Sequence, residues 1–128
     1  MIFHTACDDQ YFENFYKNWF TSIRCQFPMA KTSLHYISDG PYHMHDAALR
    51  PDIFVNQQMK LYDIKRKYRV KMEKARGYFC MARWMTIPLL GEHVAVTDID
   101  IKAIGNQQHE QVEDLLLTHD VVNCTRLK

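Results

Sequence analysis

The chain opens on a short, mostly apolar run, and apolar positions then recur every three or four. Ile2 to Cys7 reads as a short strand, and Asp8 or Asp9 then offers a side-chain oxygen to cap a helix. Phe12, Phe15, Tyr16, Trp19, Phe20, Ile23 and Phe27 follow at helical steps and draw one broad aromatic stripe, which Pro28 ends. A stripe of that width belongs against a sheet, as core. Thr32 to Ser38 alternates as a second strand, and Asp39-Gly40-Pro41 is a turn signal in which Gly and Pro set the backbone.

The pattern then loosens. Tyr42 to Pro51 predicts an irregular loop or one short helix. Val55 to Arg76 reads as a long helix with Met59, Tyr62, Arg66 and Arg69 on related faces, and Gly77 as its end or a bend. Tyr78 to Thr86 follows as a second, more buried helix stopped by Pro88. Val94 to Ile101 is a β-prone run carrying Asp98 and Asp100 at its end; Gln107 to Leu117 predicts another helix and Val121-Val122 a closing strand. Strand, helix, strand is the opening of a parallel sheet, so the expected fold is a three-layer α/β domain, its mostly parallel sheet flanked by helices. No repeat, linker or low-complexity tract divides the chain, and residues 1–128 are expected to form a single domain.

Composition narrows the function classes. A chain of 128 residues can bury a real core, and a formal charge of +1 gives no global steering toward nucleic acid or an anionic surface. The four cysteines, Cys7, Cys25, Cys80 and Cys124, form no C-x-x-C pair that would indicate zinc or a redox dithiol, so reduced, mostly buried thiols are expected. No uncharged apolar run reaches about 18 residues, which predicts no membrane insertion and a cytoplasmic location.

Candidate chemistry lies in three places. Neither G-x-G-x-x-G nor a Walker loop is present, and the four glycines are too dispersed to cradle phosphates. In a strand, however, Asp98 and Asp100 would share one face and could bear on a single hard cation, which in turn could hold a diphosphate. His43-Met44-His45-Asp46 is a competing metal motif, suited to Zn²⁺ or Fe²⁺ if the two histidines face one way in an extended loop. Lys60, Lys65, Arg66, Lys67, Arg69, Lys71, Lys74 and Arg76, with Tyr62 and Tyr68 among them, make a basic helix that could bind nucleic-acid backbone. A solvated face is the expectation there, since acids of the Glu92 to Asp120 segment can lie nearby, and nucleic acid is not an expected partner.

Three segments together resemble a known family. Ile2 to Phe12, a strand followed by an acidic turn and Tyr11, is similar to the opening of nucleotide-sugar glycosyltransferases of the GT-A fold, nearest the glycogenin and lipopolysaccharide galactosyltransferase group. Ser22-Ile23 resembles the end of their first helix, Cys80 to Pro88 their Arg-bearing helix, and Asp98-Ile99-Asp100 their D-x-D motif. The resemblance covers nearly all of this chain and the N-terminal half of the family domain. It implies a Rossmann-like nucleotide-diphospho-sugar transferase half-domain. Thr5, Ala6, Asp8 and Tyr11 would line the base and ribose pocket, Arg83 would approach the diphosphate or sugar, and Asp98 and Asp100 would bear on ribose and metal. The implied cofactor is Mn²⁺ or Mg²⁺, the implied partner a nucleoside-diphosphate sugar, and the implied activity hexosyl transfer. The alternatives are a non-catalytic binding module of the same fold, or a nucleic-acid-binding protein using the basic helix around Lys60 to Arg76. Nothing in the sequence assigns a catalytic base, an acceptor or an oligomeric state.

Overall fold

The structure is a computed structural model that describes residues 1–69, 71–89 and 93–103. Among them, strand β1 (Ile2–Cys7) is followed by helix α1 (Asp9–Gln26), β2 (Lys31–Ser38), a single 3-10 turn (Ala47–Leu49), β3 (Ile53–Gln58), helices α2 (Leu61–Tyr68) and α3 (Met72–Met85), and β4 (Val94–Val96). The strands form one sheet in the order β3-β2-β1-β4, with every pairing parallel. This is the expected parallel α/β core. The predicted helix over 107–117 and strand at 121–122 lie outside the described residues.

Alternation along β1 assigns the two faces. Phe3 and Cys7 turn toward α1, where Tyr16, Trp19, Phe20 and Ile23 meet Leu34 and Tyr36 in the larger core cluster. Ala6 turns the other way and packs with Ile37 and Ala82 of α3 in a smaller cluster. The aromatic stripe therefore does what its periodicity implied: Tyr16 and Trp19 are almost wholly buried, and the Phe12 ring stacks between Tyr16 and Tyr36 at centroid distances of 4.7 and 4.5 Å. Asp8 is the N-cap of α1, its carboxylate accepting the Tyr11 N–H at 3.0 Å.

Three expectations need correction. The long helix over Val55–Arg76 does not form: Ile53–Gln58 is instead a strand paired in register with Ser33–Ser38. Ile53, Phe54 and Val55 are β-prone, and a short apolar run of this kind is ambiguous until a neighbouring strand offers hydrogen bonds. The break between helices falls at Arg69, whose left-handed backbone (φ 51°, ψ 42°) ends α2, while Gly77 sits inside α3. The strand carrying the aspartates stops at Val96, so Asp98 and Asp100 lie in the turn beyond it. Thr97 donates a last ladder bond from its N–H to the His4 carbonyl at 2.9 Å, and the chain then turns to bury Ile99 in the α1-side core.

Two of the four cysteines have described side chains. Cys7 is buried and Cys25 exposed, and both are free thiols. Burial, followed by the charges of Asp8 and Asp9, pushes the Cys7 thiol well above its ordinary value, which makes it a packing group rather than a nucleophile.

Candidate functional site at the carboxyl end of the sheet

From β1 the chain moves through α1 and β2 to β3 on one side, then returns through α2 and α3 to place β4 on the other side of β1. The strand order therefore reverses between β1 and β4, and open parallel sheets bind ligands beyond the carboxyl ends of strands at such a point. A cleft of about 640 Å³ lies there, a volume in the range of small-molecule sites. Ala6, Ile37, Met59 and Phe79 give it an apolar floor, and Asp8, Asp9, Asp39, Asp98 and Asp100 give it an acidic rim. Arg83 is the cation among its lining residues.

The fold thus gathers Ala6, Asp8, Tyr11, Arg83, Asp98 and Asp100 around one cavity from three separated parts of the sequence. Thr5 lies beneath the cleft: it is fully buried on the α1 side and donates its hydroxyl to the Thr97 carbonyl at 3.0 Å. Tyr11 leaves nearly half its surface free at the first turn of α1, with its ring 5.4 Å from that of Phe15. The aspartates share the cleft because Ile99 between them is buried, not because of strand pleat. Asp98 forms an ion pair with Arg83, whose side chain is largely covered while that of Asp98 is half exposed.

His4 holds both members of that ion pair in place, and sequence reading did not single it out. Thr86, at the end of α3, donates its hydroxyl to the Ala82 carbonyl at 2.7 Å and so must accept from the His4 ring at Nε2, 3.1 Å away. The other ring nitrogen, Nδ1, then accepts from the Ser33 hydroxyl at 2.9 Å. The ring pins the helical turn that carries Arg83. The main-chain carbonyl of His4 pins Thr97, the residue before Asp98. Burial, with the charge of His35 adding to it, lowers His4 to about 4, so the ring is neutral at pH 7 and keeps this donor and acceptor pattern. Thr97 is a second junction, accepting the Trp19 indole N–H at 2.9 Å. The available sequence signal for His4 was a titratable ring inside a predicted strand.

Asp9 closes the rim on the β2 side. It accepts the Tyr36 hydroxyl and, at 3.3 Å, the Asp39 N–H. Burial and this carboxylate together raise the Tyr36 phenol far above its ordinary value, so it remains a donor. With Asp8 capping α1 and Asp9 beside it, the positive end of the helix dipole is already answered by carboxylates, and a bare phosphate has little to gain there.

The competing histidine motif is not assembled. His43 and His45 are exposed in the extended segment after β2, Asp46 caps the 3-10 turn by accepting the Ala48 N–H at 3.0 Å, and Tyr42 and Met44 pack inward. Among the described residues no group of three His, Cys, Asp or Glu side chains is placed to hold a metal by itself. Asp98 and Asp100 are hard oxygen donors on an open cleft, a donor set that suits Mg²⁺ or Mn²⁺ when phosphate and water complete the shell. No described helix is long and apolar enough to cross a membrane. The chain matches no known protein family, curated protein or solved structure.

Proposed function

We propose that this domain binds a nucleoside-diphosphate sugar, in the manner of the nucleotide-binding half of a GT-A glycosyltransferase. The observation that carries the reading is convergence: residues singled out in the Ala6–Tyr11, Arg83 and Asp98–Asp100 segments meet at one cleft at the switch point of a parallel sheet. Tyr11 offers a ring face to a base, and Arg83 offers the planar fork that suits phosphate oxygens.

Electrostatics adds a requirement. Among the described lining residues five carboxylates stand against one guanidinium and would repel a free diphosphate, so donor binding depends on a divalent cation. When bound, Mn²⁺ or Mg²⁺ supplies the positive charge that stabilises a diphosphate leaving group. Asp98 and Asp100 would hold it, and Arg83, released from Asp98, would turn to the phosphate oxygens. Transfer to an acceptor hydroxyl is the activity the family resemblance implies.

Isothermal titration of uridine and guanosine diphosphates, with and without Mn²⁺, tests this in the wild type and in Asp98→Asn/Asp100→Asn. Binding is expected only with metal, and weaker by at least about tenfold in the double variant, the loss of one good charge-assisted contact. Folded wild-type protein that binds neither nucleotide in the presence of Mn²⁺ would sink the reading.

A further inference from the structure

Tyr62, Lys65, Arg66 and Arg69 line a shallow groove of about 370 Å³ that shares no residue with the carboxyl-end cleft. The i, i+3 and i+4 spacing puts Tyr62, Lys65 and Arg66 on one side of α2, and Arg69 follows at its C-cap. Tyr62 is 61% exposed, and no described acid pairs with the three cations. Asp63, the acid within α2, is occupied at the helix start, where it accepts the Lys60 N–H at 3.4 Å.

Part of this has a structural explanation, since cations in a last helical turn complement the helix dipole. That explanation leaves out Tyr62 and Arg69. Arg69 takes the left-handed conformation that a helix end normally gives to Gly or Asn, at an energetic cost to any residue with a β-carbon. The strained turn brings its side chain onto the same groove. Backbone strain kept where glycine would relieve it points to a use for the side chain.

We propose that this face of α2 binds single-stranded nucleic acid, with Lys65, Arg66 and Arg69 on successive phosphates and the Tyr62 ring stacked on a base. The dimensions agree. Residues 65 to 69 span about 6 Å along a helix axis, and the long Lys and Arg side chains extend that reach enough to meet neighbouring phosphates of one strand. An aromatic face beside the cations distinguishes bases from the aliphatic side chains of an acidic protein. Helical spacing collects Lys65 and Arg66 beside Tyr62, and the break at Arg69 adds a third cation to the groove.

The test is fluorescence anisotropy of a short labelled oligouridylate titrated with the full chain. Three phosphate contacts predict affinity about 20-fold weaker at roughly 200 mM salt than at roughly 50 mM. Tyr62→Ala is expected to weaken binding by at least about fivefold. Arg69→Gly gives the sharpest reading: it should raise the melting temperature by relieving the left-handed strain while lowering oligonucleotide affinity. Absence of saturable binding at the lower salt would overturn the proposal. So would a heparin fragment binding equally well with Tyr62→Ala having no effect, since that describes a general polyanion surface.

Discussion

At the amino end of the sheet Asp52 accepts the Arg24 guanidinium at 2.7 Å, the Thr32 N–H at 2.7 Å and the Thr32 hydroxyl at 3.2 Å. At the carboxyl end Asp98 faces Arg83 across the rim of a cleft, and Asp100 is exposed beside it. Both ends carry an Arg–Asp pair, but the carboxylates are used differently. Burial opposes ionisation of Asp52, yet the Thr32 N–H and Arg24 outweigh it and hold the carboxyl below its ordinary value. Its donors tie the end of α1 and the loop before β3 to the start of β2. Asp52 is therefore a strut, with little capacity left for a ligand. Asp98 and Asp100 keep open surface beside a cavity, which makes them candidates for chemistry. An ion pair alone does not distinguish the two roles; the number of donors already satisfied does.

Acid titration separates the ends with the largest expected effect. His4 has a folded value lowered to about 4 from 6.5, so the unfolded chain takes up its proton first. Its contribution is complete above about pH 6.5 and is lost as pH falls to about 4, amounting to roughly 3 kcal/mol. Asp52, lowered from an already acidic value, contributes above that value and loses its contribution only as pH falls further. Urea unfolding across pH 7 to pH 3 would then show two windows, and His4→Gln should remove the upper one alone. A stability profile flat between pH 6.5 and pH 4 would contradict the placement of His4.

Truncation draws the contrast next. Asp52→Ala leaves the buried Thr32 N–H without its acceptor and is expected to cost about 2 kcal/mol in urea unfolding. Asp100→Ala is expected to cost less than about 0.5 kcal/mol, as an exposed side chain should. Equal losses would mean that the two ends do not differ as their hydrogen bonds indicate.

The smallest effect probes how the site is held. Thr86→Val removes the hydroxyl between His4 and α3 and should cost about 1 kcal/mol. It should also weaken metal-dependent nucleotide binding severalfold through Arg83, while Thr86→Ser restores both. Calorimetric titration beside urea melts reads the two quantities separately.

Much of the α1 side was legible in the sequence. The stripe from Phe12 to Phe27, the Asp8 cap, the short apolar run of Ile2–Cys7 and the alternation of Thr32–Ser38 each answer to a local rule, and each appears within a residue or two of its expected place. Less was legible on the other side. Ile53–Gln58 became a strand because β2 had an unpaired edge, and the β-prone Ile53-Phe54-Val55 run was too short to settle it locally. The candidate site was readable as residue types, since Asp98 and Asp100 stand out as a spaced carboxylate pair and Arg83 follows from the family resemblance. Its support was not: His4, Ser33, Thr86 and Thr97 are ordinary residues until the fold brings them within hydrogen-bonding distance.

The sequence by itself determined a parallel α/β domain with one aromatic helix at its core, because side-chain periodicity and capping act over a few residues. Tertiary structure decided where the sheet reverses, that Asp98 and Asp100 lie in a turn anchored by Ile99, and that Arg83 reaches Asp98 across the sheet end. Those outcomes depend on strand order and on hydrogen bonds between residues as distant as His4 and Thr97, and no local pattern encodes them.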